Sequence, residues 1–392
     1  MKHSQTVNLS SFIMSVQEFN VSVPMLEWIA QGQGSSVEEL ADTLAPKKRD
    51  KFLQGIINKT QAEKLTKLGK IPFGFLFLQK PPVITKPSLP DFRNTLDSVP
   101  LSDDFFETFE DVEQKLDWYH NYLKRNDLKE KLPFVGKFDW QKTSVEQVAT
   151  DIRNTLNLDD INLAKVNKDN YLKQLIESVE AIGILVFKNG VVINNTRRSL
   201  NIDEFRGFAI TDVYTPAIFL NGNDAPSAQV FTLIHEVAHI WVGEEGVSNW
   251  AYPFENQVEA YCNKVASEVL MPTTAFNEFW IKANDDKTNV ENLASYFKTS
   301  QLSIAIKANQ LGLVDSQFVN QTRNELNTYL LKQKASKDGG GSYHNSIPTR
   351  NSKRLTQVIV RDTLNQHTLL QDASRLLHTQ PNVIMTVLSK AV

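Results

Sequence analysis

Two histidines bracket a glutamate in the run HEVAH at positions 235 to 239. The run lies in a stretch whose apolar residues, at 230, 233, 234, 237, 238 and 241, repeat with helical period. Residues four apart on a helix share a face, so His235 and His239 project side by side and can hold one zinc ion between them. Glu236 then falls next to a metal-bound water, placed to take a proton and pass it to a leaving amine. Val237, Ala238, Ile240 and Trp241 are apolar and keep such a site dry.

A catalytic zinc takes three protein ligands and keeps a fourth position open, so a further donor is needed. Glu259, on the next helical stretch, is the best candidate; Glu255, one turn before it, is its nearest competitor. Glu244 and Glu245 follow the end of the first helix, where reach to the metal is poor. Asn263 favours Glu259, because an amide one turn further along the same face can hydrogen-bond a ligand from behind.

The elements that must carry these residues are legible around them. Pro226 sits near the first turn of a helix expected over residues 227–242, and a second helix is expected from Glu255 to Leu270, stopping at Pro272. The loop between them, with Gly243, Gly246 and Asn249, is rich in turn formers and brings the second helix back across the first. Upstream, IGILVFKNG, RGFAITD and TPAIFLNG are short apolar runs bounded by Gly, Asn or Asp, and read as strands. Residues 103–131 and 144–156 have helical spacing, with Phe105, Phe109, Trp118, Tyr119 and Tyr122 forming a core stripe. NVENLASYFKTSQLSIAIKANQLGLV reads as two more helices around a turn.

Nearer the N-terminus, short amphipathic helices are expected at residues 25–30, 36–44, 49–57 and 60–68, with Ser36 and Glu39 forming a capping box. Such a string suits a helix-turn-helix domain. QKPPVITKPSLPDF holds four prolines and reads as a linker or surface strap. At the other end, Gly339, Gly340 and Gly341 break the chain ahead of a basic helical tail.

LIHEVAHIWVG followed by VEAYCNKVASEVLMP resembles the signature of the ImmA/IrrE metallopeptidases, and SVEELADTL and TQAEKLTKLGKIPFGFLFLQKPP resemble parts of an XRE-type helix-turn-helix domain. KKRDKFLQGII departs from the usual recognition helix. The resemblance implies a predominantly helical α+β, multidomain chain, with a zincin-like peptidase domain in which a small sheet backs the HExxH helix. The corresponding division is 1–92 XRE-like, 93–180 helical connector, 181–282 peptidase, 283–330 helical extension and 331–392 basic tail. It also implies Zn2+ held by His235, His239 and Glu259, with Glu236 as general base. Cys262 stands where Ala is usual and is expected on the packing side. A regulatory protein, an XRE-type repressor or a toxin–antitoxin partner, is the implied substrate in stress or phage responses.

Bulk properties narrow the classes further. Cys262 is the only cysteine, which excludes an internal disulfide framework and a multi-cysteine zinc cluster. No apolar run approaches the roughly 20 residues of a membrane-spanning helix, and the N-terminus lacks signal-peptide features, so a cytoplasmic location and no membrane partner are expected. His3, His120, His344, His367 and His378 lack ligand spacing and read as surface or core residues.

Two other function classes stay open: a DNA- or protein-binding regulator or antitoxin whose zincin domain is an interaction module, and a hydrolase of small amides. The ends of the chain are basic, with ten Lys and Arg against seven Asp and Glu over residues 1–80, and nine against three over 331–392. DNA is therefore a possible partner. An excess of only three positive charges over residues 1–80 predicts weak DNA binding that falls steeply with salt; a salt titration with residues 1–92 checks this, and tight binding at physiological salt contradicts it.

Overall fold

The computed structural model describes residues 18–33, 35–69, 71–81, 101–244, 246–248, 257–334 and 343–384. The chain divides into two compact units, Met1–Lys86 and Pro87–Val392. Among the described residues no helix is long and apolar enough to cross a membrane.

In the first unit, strand β1 (Glu18–Asn20) precedes helices α1 (Val23–Gly32), α2 (Val37–Leu44) and α3 (Arg49–Leu53). Strand β2 (Ile56–Asn58) and helix α4 (Lys59–Leu68) follow. The Ser36–Glu39 capping box forms, and Asn58 with Gln61 makes a second. Met25, Leu26, Ile29, Phe52, Ile57, Leu65 and Leu76 fill the core. The helix expected through Ile57 stops at Leu53. Gly55 there has φ +80°, where a Cβ would lie 2.0 Å from the Val21 carbonyl oxygen, and the chain turns into β2, antiparallel to β1.

The second unit is built in layers. Helices α5 (Asp103–Arg125), α6 (Val145–Thr155) and α7 (Lys168–Ala181) lead to strand β3 (Leu185–Asn189), the β4 (Val191–Val192) and β5 (Asn195–Ser199) hairpin, and strands β6 (Gly207–Ile210) and β7 (Ala217–Asn221). Helix α8 (Pro226–Val242), strand β8 (Gly246–Ser248) and helices α9 (Gln257–Leu270), α10 (Thr273–Phe279), α11 (Asp286–Tyr296), α12 (Gln301–Gln310) and α13 (Ser316–Lys334) come next. Helices α14 (Tyr343–Arg350), α15 (Lys353–Leu364) and α16 (Leu370–Leu376) complete the described order. The central sheet runs β3-β7-β6-β8, with β3 and β7 parallel and the other pairs antiparallel.

Alternation along the strands sends side chains into two cores. Val186, Ala209, Ile218 and Leu220 face a core shared with α6 to α9, α11 and α12. Leu185, Phe187, Phe208, Ala217 and Phe219 face the other, filled by Phe105, Phe109, Val112, Leu116 and Tyr119 of α5 and by Ile347, Leu355, Ile359 and Leu377. The aromatic stripe of α5 is core: Phe105 meets Phe205 edge-on at 5.0 Å, and Phe208 stacks on Phe219 at 5.1 Å. The fold is thus α+β and mostly helical, with the sheet backing α8.

Several expectations need correcting. The helix expected to reach residue 131 ends at Arg125, where Asp127 takes φ 54°. The segment read as a basic tail is integrated in the outer layer. Lys353 pairs with Glu177 at 3.1 Å, Arg354 donates to the Tyr119 hydroxyl and the Glu180 carbonyl, and Arg350 donates to Asn194. The loop expected after α8 contains β8, an edge strand. The triple glycine, most of the proline-rich segment, Glu245 and Glu255 lie outside the described residues.

Phe105 supports the sheet from behind, and its loss leaves a cavity between two Phe rings. Phe105→Ala should lower stability by about 3–5 kcal/mol, read as an earlier urea unfolding midpoint of the second unit.

Candidate metal centre

Helix α8 is buried on every side from Gln229 to Val242, which is why no clean polar face marks it in the sequence. Pro226 begins it, and Gly243, at φ 74°, ends it in the left-handed turn. A strap at residues 134–138 closes the far end: the amides of Gly136 and Phe138 donate to the Ile240 and Trp241 carbonyls in the last turn at 2.9 and 3.2 Å. Phe134 stacks on Trp241 at 4.5 Å, and the Trp241 indole donates to Asp151 of α6 at 2.8 Å. The helix is therefore fixed axially as well as laterally.

On this rigid support the expected ligands converge. The Nε2 atoms of His235 and His239 are 3.1 Å apart. Glu259, on α9, places one oxygen 3.2 Å from His235 Nε2 and the other 3.1 Å from His239 Nε2. Four-coordinate zinc with bonds of about 2.0 to 2.1 Å separates its ligands by roughly 3.3 Å, so the three groups are spaced much as the corners of one face of a tetrahedral shell, with the fourth corner left open. His235, His239 and Glu259 form a buried group that can hold a metal ion. Two imidazoles and a carboxylate suit zinc chemically.

Burial makes the triangle electrostatically tight: relative exposure is 1% for His235, 0% for Glu236 and His239 and 2% for Glu259. Burial pulls the His239 imidazole down, but the Cys262 thiol and the Glu259 carboxylate beside it outweigh this and hold it well above its ordinary pKa. Burial dominates at His235, whose pKa is lowered. Glu259 is held far below the carboxylate range despite burial, by the two imidazoles. The Glu244 carbonyl oxygen lies 3.1 Å from Nδ1 of His239. That carbonyl orients the ring so that Nε2 faces Glu259.

Asn263 lies against the His235 imidazole, with both amide atoms buried. Cys262 does not face away from the site: it is fully buried and its thiol interacts with His239. Glu244 contributes its backbone where only its carboxylate had been considered. Gly207 of β6 is a residue that ligand spacing could not reveal. A Cβ there would lie 3.0 Å from Glu236 Oε1 and 2.7 Å from Thr232 Cγ2, so the Glu236 carboxylate occupies the space that glycine leaves. The available signal was a glycine inside a strand pattern, a mark of close approach. Of the other histidines, His120 meets Tyr214 edge-on and His378 is bonded to Asp111.

Residues 179–309 match the peptidase M78 family, described as the IrrE N-terminal-like domain. The match spans β3 to β7 and α8 to α12 and includes every residue of the triangle. The chain thus carries a metallopeptidase-type domain, and the match supports the ImmA/IrrE family. Residues 351–389 match a domain of unknown function, DUF8813. No curated protein matches the chain.

His235→Ala and Glu259→Ala should each reduce zinc from about one ion per chain to a small fraction of that, by elemental analysis. Both imidazoles must be neutral to hold the ion, so zinc affinity should fall as the pH is lowered; calorimetry at several pH values reads the effect.

Proposed function

We propose that the chain is a zinc endopeptidase that cuts a regulatory protein partner, an XRE-type repressor or a toxin–antitoxin component, in a stress or phage response. The observation that carries the reading is the His235–His239–Glu259 triangle with Glu236 on the same helix, inside the M78 match. Bound zinc would polarise the scissile carbonyl and acidify a water. The rest falls to the chain. Glu236 accepts the proton of the attacking water and returns it to the leaving nitrogen. Gly207, by lacking a side chain, leaves the space its carboxylate occupies. The Glu244 carbonyl and Asn263 steady the two imidazoles, and the apolar walls of α8 and α9 exclude bulk water.

One observation favours the alternative, an interaction module without peptidase activity: all four site residues are buried from solvent.

Glu236→Gln separates the readings. It should retain zinc and lose at least about 100-fold in hydrolysis, and Gly207→Ala should also retain zinc while losing about as much through a displaced carboxylate. The substrate test incubates the zinc-loaded chain with the regulatory protein encoded beside it. Cleavage by the wild type, absent with Glu236→Gln and slowed without residues 1–92, fits tethered delivery; equal cutting of casein with and without residues 1–92 contradicts selective action.

A further inference from the structure

The four site residues are inaccessible to a polypeptide in this conformation, so some part of their surroundings must leave before a peptide can enter. The elements around them are unequal in how firmly they are held. Helix α8 is buried along its length, and α9 buries Val258, Cys262, Val265, Ala266, Val269 and Leu270. Strand β8 is three residues long, stands at the edge of the sheet and, among the described residues, pairs with β6 alone.

Its position ties it to the chemistry twice. Register sets Ser248 opposite Gly207, Val247 opposite Phe208 and Gly246 opposite Ala209, so β8 lines the strand whose glycine seats Glu236. It also follows closely on Glu244, whose carbonyl meets Nδ1 of His239. A change at β8 is therefore felt by the general base through β6 and by a metal ligand through Glu244.

We infer that β8 is a resident stand-in for substrate: an extended polypeptide segment binds by replacing β8 on the β6 edge, antiparallel to residues 207–210, and β8 restrains the site until it is displaced. This deepens the peptidase reading and rests on it. Main-chain pairing fits a polypeptide and gives a small amide nothing comparable to hold.

Two variants of the full zinc-loaded chain move the equilibrium in opposite directions. Ala209→Cys with Gly246→Cys can form a disulfide that pins β8; Val247→Pro removes a backbone donor and weakens it. Hydrolysis is followed with a quenched-fluorescence library of random octapeptides. Binding is followed by anisotropy in a Glu236→Gln background, with a labelled peptide of residues 244–250. Zinc content is measured throughout, and the disulfide is reduced with a phosphine that spares the metal.

The expected result is that the oxidised form keeps its zinc, loses roughly ten-fold or more in hydrolysis and in peptide binding, and regains both on reduction. Val247→Pro should bind the peptide and cleave the library roughly three-fold better than wild type or more. Equal hydrolysis by oxidised and reduced forms, with peptide binding also equal, overturns the inference and leaves the peptidase reading standing. Peptide binding that follows the state of β8, with no hydrolysis by any zinc-loaded form, upholds β8 as the occupant of the edge and removes the peptidase reading. If the paired cysteines prevent folding, Val247→Pro decides alone: unchanged binding with unchanged zinc overturns the inference.

Discussion

Three ionisable groups from two helices meet within a little over 3 Å in a region without solvent, and this constrains the rest of the second unit. An isolated imidazolium or carboxylate is expensive to bury, and the arrangement holds only if His235, His239 and Glu259 stay within reach of one another. Neither α8 nor α9 can shift without parting them. The axial closure of α8 by the strap, the indole bond from Trp241 to Asp151 and the apolar seam between the helices all oppose that movement. The precision demanded by chemistry and the precision demanded by buried charge are met by the same contacts.

The sheet transmits that order outward. One face supports α8, and the opposite face rests on the phenylalanines of α5 and on the apolar sides of the C-terminal helices. Because β7 is buried on both faces, residues only one position apart report on different layers: Ile218 touches the side of the metal centre and Phe219 the support. Gly207 is the point where this layering yields, since a strand residue with no side chain lets a carboxylate from α8 come up against the backbone.

Much of this was legible in the residues. Proline at the start of α8, the capping box at Ser36 and the apolar strand runs are local signals, and local signals survive folding. The ligand set was legible because helical geometry fixes His235 beside His239, and a catalytic zinc needs one more donor. What stayed hidden depends on distant partners. GVS in a turn-rich loop gains strand character only because β6 offers an edge. Ile56 and Ile57 continue a helical pattern until Gly55 takes positive φ. Cys262 reads as packing, and its contact with His239 depends on how α9 crosses α8. The basic residues of the last helices read as a solvated tail because Glu177, Glu180, Tyr119 and Asn194, which engage them, lie more than 150 positions earlier.

That last docking governs when the protein can mature. Phe208, Phe219 and Leu185 are synthesised well before Leu355, Ile359 and Leu377, which complete their cover. During translation, at about 5 to 20 residues per second, the back of the sheet stays incompletely covered for several seconds after the HExxH helix and its partner have emerged. The layer that carries the metal centre is thus left on an unfinished support until the helices between Tyr343 and Leu376 have emerged, which delays assembly of the second unit until then.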